Sequence, residues 1–224
     1  IKVLKGKFSS SKSGVIQRVV LVVFQFSVSI ALIIAVLIVL DQVRFLQKTD
    51  LGYNKQNVVV IRNVFRDQSQ MVKEQIENLS FVEGVSTVSN LPGGTLVRLE
   101  VVPEGYDSDQ GFMFDRLIVD DNFIDVLKIA IHEGRNYDSD LATDPQNSVI
   151  INQAAARKLK WEDPIGKKIT MIDQNEEHLE RTVIGVVEDF NFTTARREVN
   201  PMMIVHMGEF IPRYLVRLSD DDAG

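Results

Sequence analysis

The residues of this 224-residue chain that could do chemistry are three histidines, two Gly-Lys pairs, one adjacent pair of carboxylates and a few aspartate clusters. His132, His178 and His206 could bind zinc, but none has a His-x-x-x-His or Glu-x-x-His partner, the spacings that put two ligands on one helix face. Glu188 and Asp189 could form a general acid and base. They follow a predicted strand, however, where neighbouring side chains point to opposite faces and do not converge on one substrate. Gly6-Lys7 and Gly166-Lys167 lack the upstream glycine and the following Ser or Thr of a nucleotide-binding P-loop. Leu91-Pro-Gly-Gly94 is the only glycine-dense turn, and it opens no helix that could hold a phosphate. Asp120-Asp121, Asp138 with Asp140, and Asp220–Asp222 lack the alternating calcium loop with its terminal Glu and read as caps and solvated turns. There is no cysteine and no Gly-x-Ser-x-Gly elbow. The expectation is a chain without catalytic, cofactor or metal residues.

What must position anything else is a membrane. Val19–Leu40, VVLVVFQFSVSIALIIAVLIVL, is uncharged, and at about 1.5 Å per residue it makes roughly 33 Å of helix, enough to cross a bilayer core. Most of its residues are Val, Leu, Ile or Phe, each favouring insertion by about 0.3–0.6 kcal/mol. Only Gln25, Ser27 and Ser29 oppose it. A secretory h-region is shorter and ends in a small-residue cleavage site. Lys2, Lys5, Lys7, Lys12 and Arg18 precede the span with no acid among them, so residues 1–18 are expected in the cytoplasm. The remaining 20 basic and all 31 acidic groups fall in residues 41–224, a balance of −11 within a total of −6. That acidic portion is expected across the membrane, and its charge argues against a nucleic-acid partner.

Within the span, Gln25 and Ser29 share one helical face, and Ser27, Ala31 and Ala35 line another. Small and polar residues in a span mark helix–helix contacts, so these five are the candidate packing positions against further membrane helices. Asp41–Asp50 holds good helix formers, and Val36, Leu40, Val43 and Leu46 continue an apolar stripe. The helix is therefore expected to run on as a stalk through 41–52, ended by left-handed residues at Gly52 and Asn54.

Beyond it the order reads as an α+β domain with a mostly antiparallel sheet. Strands are predicted at Asn57–Ile61, Gly84–Ser89, Thr95–Val102 and Phe112–Val119. Helices are predicted at Asp67–Leu79 and at Asn122–Leu127, the second capped by Asp120 or Asp121. From Gly134 a β-rich block begins. Ser148–Ile151 is a strand, Asn152 caps a helix over Gln153–Leu159, and strands follow near Lys168–Ile172, Thr182–Glu188, Met202–His206 and Tyr214–Leu218. Trp161, the only tryptophan, is expected to pack under this block. The first residue is Ile1 and the chain stops at Ser219-Asp-Asp-Asp-Ala-Gly224. It reads as a segment of a longer protein.

These pieces in this order resemble the periplasmic core domain of MacB/FtsX-type ABC transporter permeases. The resemblance rests on LVVFQFSVS (Leu21–Ser29), DLGYNKQNVVVI (Asp50–Ile61), GRNY (Gly134–Tyr137), SVIINQAAARKL (Ser148–Leu159), DPIGKKI (Asp163–Ile169), VIGVVEDFNF (Val183–Phe192) and NPMMI (Asn200–Ile204). The opening KVLKGKFSSSKSG (Lys2–Gly14) resembles the junction before the second half of tandem-repeat permeases typical of Bacteroidetes-like bacteria. The resemblance implies a periplasmic domain with a porter-like α/β lobe, over 53–133 and 183–224, and a smaller β-rich lobe over 134–182. It implies a separate ABC ATPase subunit, further permease helices or a second permease half, periplasmic adaptor or envelope proteins as contacts, and an inner-membrane location. Later helices and the last helix–strand pair of the first lobe are missing relative to that family. The reading from another class is an extracytoplasmic ligand-sensing module on one membrane helix.

Overall fold

The computed structural model describes residues 12–48, 50–62, 69–107, 109–138, 140–141, 143–172, 178–193, 198–206 and 213–219. They fall into two compact units, Ile1–Thr49 and Asp50–Gly224. The first is one helix, α1 (Lys12–Lys48), of 37 residues. It ends at Lys48, short of the expected stalk end at residue 52. Asp50 and Leu51 lie outside it, and the left-handed backbone falls at Gly52 (φ +76°) and Asn57 (φ +57°), not at Asn54. Asn54 serves differently, since its side-chain oxygen accepts from the Gln56 amide in a local turn.

The second unit holds β1 (Val58–Arg62), α2 (Ser69–Glu77), β2 (Val82–Thr87), β3 (Val97–Pro103), β4 (Phe112–Val119), α3 (Phe123–Leu127), β5 (Ile131–Gly134) and α4 (Asp144–Asn147). They are followed by β6 (Ser148–Asn152), α5 (Gln153–Lys158), β7 (Lys168–Ile172), β8 (His178–Val187), β9 (Met202–His206) and β10 (Arg213–Leu218). All the predicted strands and helices are present within a few residues. The N-terminal end of the Asp67–Leu79 prediction and Asp220–Asp222 lie outside the described residues. β5 and α4 were not legible, because β5 is exposed along its whole length and α4 is a single turn opened by Pro145.

Two sheets result. The small one has the order β1-β10-β2, both pairings antiparallel, with α2 crossing between β1 and β2. Val72 and Ile76 of α2 pack on Tyr214, Val216 and Val85. The large one has the order β5-β8-β6-β9-β4-β3-β7, and β7 also pairs with β8. That extra pairing closes β8-β6-β9-β4-β3-β7 into a six-stranded ring. Two of its pairings are parallel, β4 with β9 and β6 with β8, so the sheet is mostly antiparallel.

Period-two alternation feeds two cores from the same strands. Val149 and Ile151 of β6, with Met203 and Val205 of β9, join Val101, Phe114, Ile169, Met171 and Val183 in a cluster supplied by all six strands, which is the ring interior. Ala155 and Leu159 of α5 belong to that cluster, as does the partly buried Trp161. The alternate residues Ile150 and Ile204 face the other way, into a core with α3, Phe190, Phe192 and Leu215 of the small sheet.

The strands do not divide at the expected 133/134 and 182/183 boundaries. β3 and β4, expected in the porter-like lobe, pair with β7 and β9, and β8 runs through residue 182. Local strand signals cannot tell which distant strand will supply the hydrogen bonds, and here the partners lie across both boundaries.

Candidate functional site

The apolar helix comes first. α1 is long and apolar enough to cross a membrane, and every described side chain from Val15 to Phe45 is exposed. Of the five candidate packing residues, Ser27 donates its hydroxyl to the Val23 carbonyl at 2.8 Å and Ser29 to the Gln25 carbonyl at 2.9 Å. Both hydroxyls are thus satisfied within the helix and carry no cost in lipid. Gln25, Ala31 and Ala35 are exposed in the same way.

The segment that follows is bonded into the domain. Gly52 N–H donates to the Asp50 carboxylate at 2.9 Å, Asn191 N–H to the Leu51 carbonyl at 2.7 Å, and Asn54 N–H to the Leu127 carbonyl at 2.8 Å. Arg217, buried on β10, donates to the carbonyls of Asn54 (2.8 Å), Gln56 (3.0 Å) and Val126 (2.6 Å). One guanidinium therefore joins the lead-in turn, the end of α3 and the small sheet. Its planar fork of donors reaches three carbonyls at once, which a lysine would do less well. Gly52 is required here: a Cβ would stand 2.5 Å from the Asp189 carbonyl oxygen and 2.9 Å from Phe190, on a backbone with φ of +76°.

A second network holds the GRNY turn. Arg135 grips Asp144 with two bonds of 2.5 and 2.9 Å, and Ser148 Oγ and Asp138 N–H donate to the same carboxylate. The hydrogen bonds from Arg135 hold the Asp144 carboxyl below its ordinary range and raise the guanidinium in turn. Tyr137 donates its hydroxyl to the Ile204 carbonyl at 2.8 Å, and burial pushes its phenol up. Arg181 is buried with carbonyl partners on Pro145 and Ser148, and burial lowers it. These groups are spent on packing the ring against its loops.

The residues weighed for chemistry are scattered. His132 and His178 are exposed on β5 and β8, while His206 is buried, its Nε2 lying 2.9 Å from Asp121. No group of three metal-capable side chains occurs among the described residues. Asp189 accepts from Ala154 N–H at 2.7 Å and pairs with Arg157, so it caps α5 together with Asn152, which accepts from Ala155 N–H at 3.0 Å. Asp120 is not the side-chain cap of α3. It accepts from Ser86 (2.7 Å), Thr87 N–H (2.9 Å) and Lys73 (2.8 Å), tying α2 to β2. Burial alone would lower the Lys73 ammonium, but the Asp120 carboxylate raises it. Asp121 does not cap α3 either: the capping position is Asn122, which makes no side-chain cap bond, and the Asp121 carboxylate lies against His206. Asp140 N–H donates to Asp138 in a local turn. In the LPGG turn, Gly94 N–H donates to Leu91 and Gly93 N–H to Phe192.

The family model of the MacB-like periplasmic core domain matches residues 20–223, which take in most of the candidate membrane helix, the lead-in and both sheets. The chain belongs to this family. Two solved structures share the fold. The periplasmic region of MacB from Actinobacillus actinomycetemcomitans aligns at a TM-score of 0.53 and 15% identity, covering 76% of this chain and 78% of that one. The extracellular domain of the noncanonic ABC-type transporter YknZ from Gram-positive bacteria aligns at 0.51 and 14%, covering 74% and 86%. No functionally curated protein matches. The chain is therefore a MacB-like periplasmic domain of an ABC transporter permease, with one candidate membrane helix among the described residues. Domains of this family are permease parts, not enzymes in themselves.

Proposed function

We propose that this MacB-type domain is a coupler, which receives displacement from the membrane helix and turns ATP hydrolysis by a separate ABC subunit into movement of a substrate outside the membrane. Residues 1–18 would lie in the cytoplasm, 19–40 cross the inner membrane, and the domain face the periplasm. Further permease helices would pack on Gln25, Ser27, Ser29, Ala31 and Ala35, and adaptor or envelope proteins would meet the domain. The observation that carries the reading is the lead-in. Asp50–Gln56 has no flexible linker and is bonded to α3, β10 and the 189–191 segment, so a pull on residue 50 acts on the domain as a body. A two-lobed division is part of the proposal, drawn between the small sheet and the closed ring instead of at the expected 133/134 and 182/183 boundaries. The sensor alternative draws no support from the family.

The test is a short Gly/Ser insertion after Gln47 in the assembled transporter. Transport should be lost while ATPase activity persists. Transport at the wild-type rate would refute rigid coupling.

A further inference from the structure

The ring carries a cleft that the coupling role does not use. It has a volume of about 450 Å³, within the range of small-ligand sites, and lies between the edge strand β5, the outer face of α5 and the turn over residues 161–164. The side chains that matter are His132 and Glu133 from β5, Gln153 and Lys160 from the α5 segment, and Trp161 and Glu162 from the turn. Opposite charges share this small space, yet Glu133, Lys160 and Glu162 form no ion pair with one another or with other described residues. The Gln153 amide and the Trp161 indole N–H likewise have no protein hydrogen-bond partner among the described residues. Elsewhere on the domain, facing charges close on each other, as Arg135 does on Asp144 and Lys168 on Glu180. Here the strand, the helix and the turn hold the groups apart. Arg157 on the rim is already engaged by Asp189.

We propose that this cleft is a binding site for a neutral saccharide, with Trp161 as the aromatic wall and Glu133, Gln153, Lys160 and Glu162 as hydrogen-bonding partners to its hydroxyls. The chemistry selects this class. An apolar ligand would strip water from five polar side chains and return no hydrogen bonds. An anion would meet Glu133 and Glu162, and a cation would meet Lys160, so a ligand of either sign faces a like charge in the cleft. A hydroxyl both donates and accepts, and so satisfies carboxylates, amide, ammonium and indole N–H alike. The indole lines the cleft while it packs on the ring core, with Lys167 Nζ 5.9 Å from its centroid.

Trp161 is the only tryptophan in the chain, so its emission reports on the cleft directly. The full chain, held in amphipol because sugar-headed detergents would compete, is titrated with cellobiose and with chitobiose, and with glycerol as a control. At least one disaccharide should give a saturable emission change that glycerol does not, weakened about tenfold or more in Gln153→Leu and in Glu162→Leu, each a single hydrogen-bonding loss. Both positions are at the surface, and unchanged melting confirms that the variants are folded. The proposal is overturned if neither disaccharide gives a saturable change. It is equally overturned if both variants bind as well as the parent, or if inorganic phosphate or hexanoate saturates the signal and the disaccharides do not.

Discussion

Replacing Gly52 by alanine tests how firmly the lead-in is held. The residue sits at φ +76°, and an added Cβ would come 2.5 Å from the Asp189 carbonyl oxygen and 2.9 Å from both Cα and Cβ of Phe190. Two costs add. The left-handed backbone penalises any Cβ by about 1–2 kcal/mol. The overlap is with backbone, not with the end of a flexible side chain, and such overpacking costs about 1–3 kcal/mol more. The sum is about 2–5 kcal/mol. Gly105 separates the two contributions, because it has φ of +89° and nothing within 4 Å of where its Cβ would stand, so Gly105→Ala carries the backbone cost alone. Melting followed by Trp161 emission in the full chain should fall by about 2–4 °C per kcal/mol for a domain of this size. Gly52→Ala should therefore melt clearly below Gly105→Ala. Equal shifts would mean that the 50–52 turn moves aside freely, and the rigid lead-in would be refuted together with its part in coupling.

Asp144→Asn should cost about 1–3 kcal/mol at neutral pH, since it weakens the charged bonds from Arg135 to a buried acceptor. The folded carboxyl lies below its ordinary value, so its contribution is full above an unfolded pKa of about 3.9 and is lost as pH falls through the folded pKa. The stability gap between parent and Asp144→Asn should accordingly close only in strong acid, and a gap that closes between pH 5 and 7 in urea titrations would contradict the assignment. Ala31→Leu with Ala35→Leu should weaken assembly with the other permease helices, read by co-purification, while leaving the melting of the domain unchanged. Undiminished assembly would remove these residues as packing positions.

Much of the fold was readable because its signals are local. Val58–Arg62, Phe112–Val119, Lys168–Ile172 and Met202–His206 are short β-branched or apolar runs of the kind enriched in strands, and each is a strand here. Asn152 before an alanine-rich stretch announces its helix because its side-chain oxygen accepts from the backbone N–H three residues on, although the same side chain also bonds Asn200 and Met202 across the sheet. Asp120 misled for the converse reason. A carboxylate before a helix can cap it, but three donors from β2 and α2 reach it first. The candidate cleft was not readable at all. His132, Glu133, Gln153, Lys160 and Glu162 are ordinary surface residues in sequence, and they share a space only because β5 pairs along the outer end of β8 beside α5.

The chain by itself determined the candidate membrane helix, the charge asymmetry on its two sides in sequence and the identity of nearly every strand, since each depends on hydrophobicity and propensity within about twenty residues. The family likeness followed from the order of those local pieces. Only the tertiary structure decided that β7 turns back to β8 and closes a ring, that Arg217 reaches from β10 to the lead-in, and that strand pairings cross residues 134 and 182. Those outcomes depend on which backbone donors and acceptors remain unpaired once distant strands have met, a condition that no local stretch of sequence contains.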